Sequence, residues 1–303
     1  MTIRLLLQAL AVMALAFSGA QPAIAGQVEP TNAQTSGRYV FSGWEGPDLP
    51  VWYQLPDRVA ADTPVVFVMH GVNRDADRYR DEWAALARQH GFIAVVPEFS
   101  RADFPGSRGY NTGYFANTDG SPRPRALWSF SAIEPLFDEV RQRFGTQVPR
   151  YTIYGHSAGA QFVHRFVLFM PDARIEQAIA ANSGWYTMPD FDTAFPYGLA
   201  ATPIDETSLK AALGKPLIVL LGTADTDTDD ADLRKTPQAN RQGPHRYARG
   251  QTFFAQAQQT AVSMGTTLGW SLETVRDIGH SNAGMAKAAA QRIAARAKRD
   301  EQR

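Results

Sequence analysis

Residues 151–159 read Tyr-Thr-Ile-Tyr-Gly-His-Ser-Ala-Gly, a strand running into a tight bend that presents one serine. Tyr151, Thr152, Ile153 and Tyr154 are aromatic or β-branched, the composition of a buried strand. Beyond Ala158, the apolar residues Ala160, Phe162, Val163, Phe166 and Val167 recur as on one face of a helix. Ser157 sits at the join, flanked by Gly155 and Gly159 in the G-x-S-x-G spacing. A strand that turns this sharply into a helix strains the serine backbone, and neighbouring chain passes only where no Cβ intervenes. Oγ is then lifted above the sheet edge, while the first turn of the helix offers N–H groups and a positive dipole end to a developing oxyanion. The plainer alternative, an ordinary Gly-Ser turn, leaves the remaining features without an explanation.

Upstream, Pro64 introduces Val65-Val66-Phe67-Val68-Met69, a continuous apolar run of the kind buried on both faces of a sheet, ending at His70-Gly71-Val72-Asn73. A glycine just past a central strand lets the backbone turn and exposes the next N–H. This assigns the N–H groups of Val72 and Ala158 as oxyanion donors, with His70 as a brace for the loop. Residues 77–89 read as an amphipathic helix stopped by Gly91, 92–97 as a strand, and 130–144 as a helix ended by Gly145. Strands follow at 175–181, 217–221 and 270–275, with helices at 249–264 and from Asn282 onward. Residues 38–44 and 51–55, separated by Gly46-Pro47-Asp48, read as an edge hairpin. Strands alternating with helices predict an α/β fold, a mostly parallel central sheet with helices on both faces.

A serine needs a base, and the chain has six histidines. His280 is preferred because it lies in Gly279-His280-Ser281, just after the last strand, where such a sheet presents side chains over its carboxyl edge. His245 is the competitor; His156 adjoins the serine, and His90 and His164 lie on helices. The imidazole in turn needs a carboxylate. Asp225 follows the strand at 217–221 in Gly222-Thr223-Ala224-Asp225, with Asp227 as runner-up. The chain order Ser157, Asp225, His280 is the one expected of an elbow serine. The run Asp225-Thr-Asp-Thr-Asp-Asp230 invites a calcium reading, but Asp230 stands where a calcium loop needs glycine and Thr236 where it needs glutamate. No metal or other cofactor is therefore expected.

With Met69-His-Gly-Val72, Gly155-His-Ser-Ala-Gly159, Leu220-Leu-Gly-Thr-Ala-Asp225 and Gly279-His-Ser281 in place, the sequence resembles the α/β-hydrolases. Within them it is similar to the branch of polyhydroxybutyrate depolymerase-like and feruloyl-esterase-like secreted serine carboxylesterases. The resemblance runs from about Val65 to the terminal helix. It implies Ser157 as nucleophile, Asp225 as acid and His280 as base, acting on carboxylic esters. Secreted members often carry disulfides or binding modules, and this chain of 303 residues has no cysteine and no linker of that kind.

Residues 1–25 have the layout of an export signal: Arg4, an apolar run over 5–17, and Ala23-Ile24-Ala25 before Gly26. The run is too short for a stable membrane span, so a periplasmic or extracellular protein is expected. Residues 26–36 then form a mobile start, and 37–303 one catalytic domain with inserts at about 100–128 and 226–248. Thirty basic and thirty acidic residues balance, which gives no case for nucleic acid as a partner. Both inserts are rich in arginine, which points to a carboxylate-bearing substrate or polymer; the opposing reading is that these arginines brace their own loops. Trp128, Trp185, Tyr186 and Arg246 are the candidate substrate-side residues. A carboxylic ester is the leading substrate, either a small molecule or an oligomeric or polymeric polyester. A polyanionic amide polymer such as polyaspartate, cleaved by the same triad, is the alternative, and a non-catalytic binding protein on this scaffold stays open.

Overall fold

The computed structural model describes residues 35–300. The expected export signal lies outside the described residues, as does the expected mobile segment up to residue 34; Ser36 already belongs to the first strand.

Among the described residues, eight strands build one sheet: β1 (Ser36–Phe41), β2 (Leu49–Gln54), β3 (Val65–Met69), β4 (Ile93–Pro97), β5 (Tyr151–His156), β6 (Ile175–Ala181), β7 (Leu217–Gly222) and β8 (Ser271–Val275). Their spatial order is β1-β2-β4-β3-β5-β6-β7-β8. The hairpin β1–β2 joins β4 antiparallel, and every later pairing is parallel. The edge hairpin and the parallel sheet are thus as expected. β5, which delivers Ser157, lies between β3 and β6.

The helices are α1 (Ala76–His90), α2 (Gly106–Gly109), α3 (Ile133–Phe144), α4 (Ala158–Phe169), α5 (Glu206–Leu213), α6 (Pro237–Gln242), α7 (Arg246–Ser263) and α8 (Asn282–Asp300). The period of two along each strand sorts the core. Val65, Phe67 and Met69 of β3 face one layer, with Phe162, Phe166 and Phe253 from α4 and α7. Val66 and Val68 face the other, with Trp83 of α1 and Met285 of α8. The strands β3, β4 and β7 are buried along their whole length, which is why they read as unbroken apolar runs; β5 is buried throughout as well, although Thr152 and His156 interrupt its apolar sequence.

Two helix starts differ from expectation by three residues, and the hairpin strands begin two residues earlier than expected. Residues 129–132 form a tight 3₁₀ turn, so α3 begins at Ile133. α7 starts three residues early because the His245 side chain caps it, its Nδ1 accepting the Ala248 N–H at 3.2 Å. α5 and α6, unanticipated, are likewise opened by caps: Asp205 accepts from Ser208 N at 2.8 Å, and Thr236 accepts from Ala239 N at 3.3 Å ahead of Pro237.

Candidate active site

The turn between β5 and α4 holds Ser157 at φ 56°, ψ −115°, a left-handed conformation that is costly for a residue with a Cβ. Both flanking glycines are sterically required. A Cβ on Gly155 would lie 2.2 Å from Gly159 O, and one on Gly159 would lie 2.0 Å from Met69 O. The elbow therefore presses directly against the end of β3, where the Gly71-Val72 loop begins. Ser157 N donates to Ala181 O at 3.1 Å, tying the elbow to β6.

His280 reaches the serine from the loop between β8 and α8. Its Nε2 lies 3.0 Å from Ser157 Oγ, and its Nδ1 lies 2.9 Å from Asp225 Oδ2. One imidazole serves both contacts when Nδ1–H donates to the carboxylate and Nε2 accepts the hydroxyl. Asp225 is 2% exposed, and its other oxygen lies 3.5 Å from Arg246 Nη1, which also donates to Asp230 Oδ2 at 3.0 Å. Arg246 thus stands behind the carboxylate, and the runner-up Asp227 instead accepts the Asp229 N–H of its own turn.

One contributor went unread in the sequence. Asn182, at φ 49° just past β6, accepts the Gly222 N–H at 2.7 Å and donates to Gly279 O at 2.9 Å. A single amide therefore fastens the ends of β6 and β7 to the residue before His280. An asparagine in a strand-end turn has a local reason to be there, and only the sheet order brings 182, 222 and 279 together.

Three other histidines, His70, His164 and His245, have structural tasks. His70 is fully buried; Phe99 N–H donates to its Nε2 at 3.0 Å, its Nδ1–H donates to Gly71 O, and its ring stacks on Tyr110 at 4.7 Å. Burial pushes its pKa down to about 3, so it braces the loop uncharged, as anticipated. His164 is likewise pushed well below its ordinary value by burial; its Nδ1 bonds to Ala160 O and its Nε2 accepts from Thr187 N. His156 is driven down first by burial and then by His280, whose ring lies 4.6 Å away. His245, the competing base, is the helix cap already described.

A cleft of about 290 Å³ opens over the site, lined among others by Gly71, Val72, Ser157, His156 and His280. None of the four substrate-side expectations is among the described residues that line it. Trp128 packs on Phe115 and donates to Arg123 O at 3.0 Å, and Tyr186 stacks on Phe253 at 4.4 Å in the core. Trp185 has the guanidinium groups of Arg165 at 4.2 Å and of Arg234 at 4.7 Å over its ring. Arg246 is buried behind Asp225. The insert arginines also act largely as braces. Arg101 donates to Val72 O, Arg249 to Gly184 O, Gly243 O and Arg234 O, and Arg125 pairs with Asp172. Backbone carbonyls, more than the aspartates of the inserts, are their partners.

The solved structure of poly(aspartic acid) hydrolase-1 from Sphingomonas sp. KT-1 is 50% identical in sequence, with a TM-score of 0.83 over 84% of this chain and 97% of that one. The chain belongs to the α/β-hydrolases, in their depolymerase-like branch. A second similar structure is the poly(3-hydroxybutyrate) depolymerase LpqC from Bordetella parapertussis, 34% identical, TM-score 0.79, covering 84% of this α/β-hydrolase and 89% of that chain. At 16% identity and TM-score 0.57, an S-formylglutathione hydrolase from Agrobacterium tumefaciens shares the fold. Scans against family models and against curated proteins give no match. The similar structures make this chain a hydrolase.

Proposed function

We propose that this α/β-hydrolase is an exported serine hydrolase cleaving acyl bonds along a polymer, with Ser157 as nucleophile, His280 as base and acid, and Asp225 orienting the imidazole. The observation that carries the reading is the relay itself: hydroxyl, imidazole and buried carboxylate in hydrogen-bond contact at 3.0 and 2.9 Å. Oγ attacks the carbonyl carbon as its proton passes to Nε2. The bond to the leaving atom then breaks as Nε2 returns that proton, and water repeats the cycle on the acyl-enzyme. The Ala158 N–H belongs to the first turn of α4, whose donors have no intrahelical partner, and Val72 lies on the cleft wall; these two N–H groups receive the oxyanion.

The amide bonds of a carboxylate-bearing polymer are the first substrate to test, because the similar structure at 50% identity is a poly(aspartic acid) hydrolase. Polyester hydrolysis is the second reading, favoured by the depolymerase at 34% identity. Incubation with polyaspartate and with a hydroxybutyrate oligomer, followed by chromatography of the products, separates them. Ser157→Ala should lose several powers of ten in turnover on either substrate and should no longer be labelled by a fluorophosphonate; unchanged turnover refutes the mechanism. Absence of labelling in the unsubstituted protein would favour a binding role. Export is tested by sequencing the N-terminus of the protein recovered outside the cytoplasm, which should begin at Gly26.

A further inference from the structure

The imidazole that takes the serine proton returns it to the departing atom, so the leaving fragment occupies the flank on which His280 stands. That flank of the cleft runs along α1 and the start of α8, past Asp75, Arg78, Glu82 and Asn282 to Asp232. Its charge is lopsided. Arg78 is the one cation among the described residues lining it, and its guanidinium is divided between Asp75 Oδ2 at 2.6 Å and Glu82 Oε1 at 2.5 Å, so three carboxylates stand against one guanidinium. Two polar atoms here make no hydrogen bond to any described residue and are closed to solvent: Asp75 Oδ1 and His156 Nε2. His156 is 4% exposed, and its Nδ1 is already engaged by the Tyr79 hydroxyl at 3.3 Å. Buried polar atoms are rarely left unpaired, and a carboxylate oxygen without a donor is costlier than a neutral group.

We propose that this acidic wall is a leaving-group subsite for an amine, in which the exposed Asp232 takes the ammonium that forms once the amine departs, the Asp75 carboxylate beneath the surface adds its negative charge, and Arg78 meets a carboxylate on the same fragment. The inference rests on the acyl-enzyme reading above and deepens it by naming the amide over the ester. A departing alcohol leaves neutral and gains a hydrogen bond at most, whereas an ammonium gains a charge-assisted one. The wall also explains why an acidic cleft suits a substrate with carboxylates: the fragment it receives carries both charges.

By microscopic reversibility the same subsite receives an incoming amine. The bound ammonium first gives one proton to solvent; the free amine nitrogen then bonds to the acyl carbon, the C–Oγ bond to Ser157 breaks, and the proton released from that nitrogen passes through His280 Nε2 to Oγ. The acyl-enzyme formed from p-nitrophenyl butyrate is therefore offered aspartate or 3-hydroxybutyrate as acceptor, and transfer product is measured against free butyrate. Aspartate should be the better acceptor. Asp75→Asn and Asp232→Asn should each reduce transfer to aspartate by about three- to tenfold relative to hydrolysis, with transfer to 3-hydroxybutyrate held within about twofold. Asparagine opens a helix as readily as aspartate, so α1 tolerates the first change, and Asp232 is exposed, so the second carries the test should the first fail to fold. Equal loss for both acceptors, no loss, or preference for 3-hydroxybutyrate overturns the proposal. Release of p-nitrophenol in the same tubes distinguishes the cases: without it the acyl-enzyme reading fails as well, and with it only the amine subsite does.

Discussion

Replacing Gly159 by alanine tests the coupling between the serine elbow and the oxyanion loop. The new Cβ would lie 2.0 Å from Met69 O, 2.6 Å from Met69 C and 2.9 Å from His70 O, all backbone atoms at the end of β3. Because Cβ atoms do not approach closer than about 3 Å, the elbow and the end of β3 must separate by roughly 1 Å. Met69 lies three residues before Val72, so the displacement falls between the nucleophile and one proposed oxyanion donor. A misplacement of about 1 Å costs on the order of 10²-fold in turnover, similar to loss of one oxyanion donor. Overpacking should also remove about 1–3 kcal/mol of stability, a fall of several degrees in melting temperature for a domain this size. The assay is kcat and KM on p-nitrophenyl butyrate together with urea unfolding, with the loss expected in kcat. Gly91→Ala is the control: its added Cβ meets nothing within 4 Å, and its φ of +73° alone should cost about 1 kcal/mol with kcat unchanged. A Gly159→Ala protein that turns over within about threefold of the unsubstituted chain would refute the argument, since it would mean that the loop does not depend on this contact.

Further outcomes follow from the same contacts. Asn182→Ala removes the acceptor of the Gly222 N–H and leaves Gly279 O with the Ser281 N–H alone, so kcat should fall about tenfold while KM holds, read on the same ester; a change in KM alone would deny Asn182 its positioning role. Arg246→Gln removes the cation from two carboxylates, one of them fully buried, and should lower the unfolding free energy by about 3 kcal/mol in urea titrations, against under about 1 for Arg78→Gln on the half-exposed wall. The buried histidines set an acid limit. His70, His156 and His164 have folded pKa values below the ordinary 6.5, so the unfolded chain binds protons that the folded one refuses. Their contribution is complete above pH 6.5 and is lost as pH falls from there toward the folded values, about 3 for His70. Near pH 5 the three together should give a slope of roughly 4 kcal/mol per pH unit, and His164→Asn should remove about a third of it. Urea midpoints measured between pH 5 and 7 check this, and an unaltered slope in the variant would contradict it.

Features that are local or periodic were legible along the chain. The unbroken apolar runs at 65–69 and 217–221 announced strands buried on both faces, and the glycine spacing around Ser157 announced a strained turn, because both follow from the steric limits of neighbouring residues. Ser157, Asp225 and His280, the proposed triad, come within hydrogen-bond contact because each lies just past a strand and a parallel sheet delivers all such ends to one edge. His70 was legible as a brace for the same reason, its backbone and not its ring being next to the elbow.

The tertiary structure alone decided which long-range partner each remaining polar group takes. Trp185, Tyr186 and Trp128 look identical in sequence whether they face a substrate or the core, and the packing of α4 and α7 turned them inward. The insert arginines could have met carboxylates or carbonyls, and burial favoured carbonyls because a folded loop has many to satisfy. Asn182 joins two strand ends to the residue before His280, a contact set by strand order, and α1 brings Asp75 and Glu82 beside His280 from 200 residues away in the chain, as the Glu82–Asn282 contact marks. Periodicity reports which face of an element is apolar; it is silent about which polar atoms meet across elements, because those distances exist only once the sheet has closed on its helices.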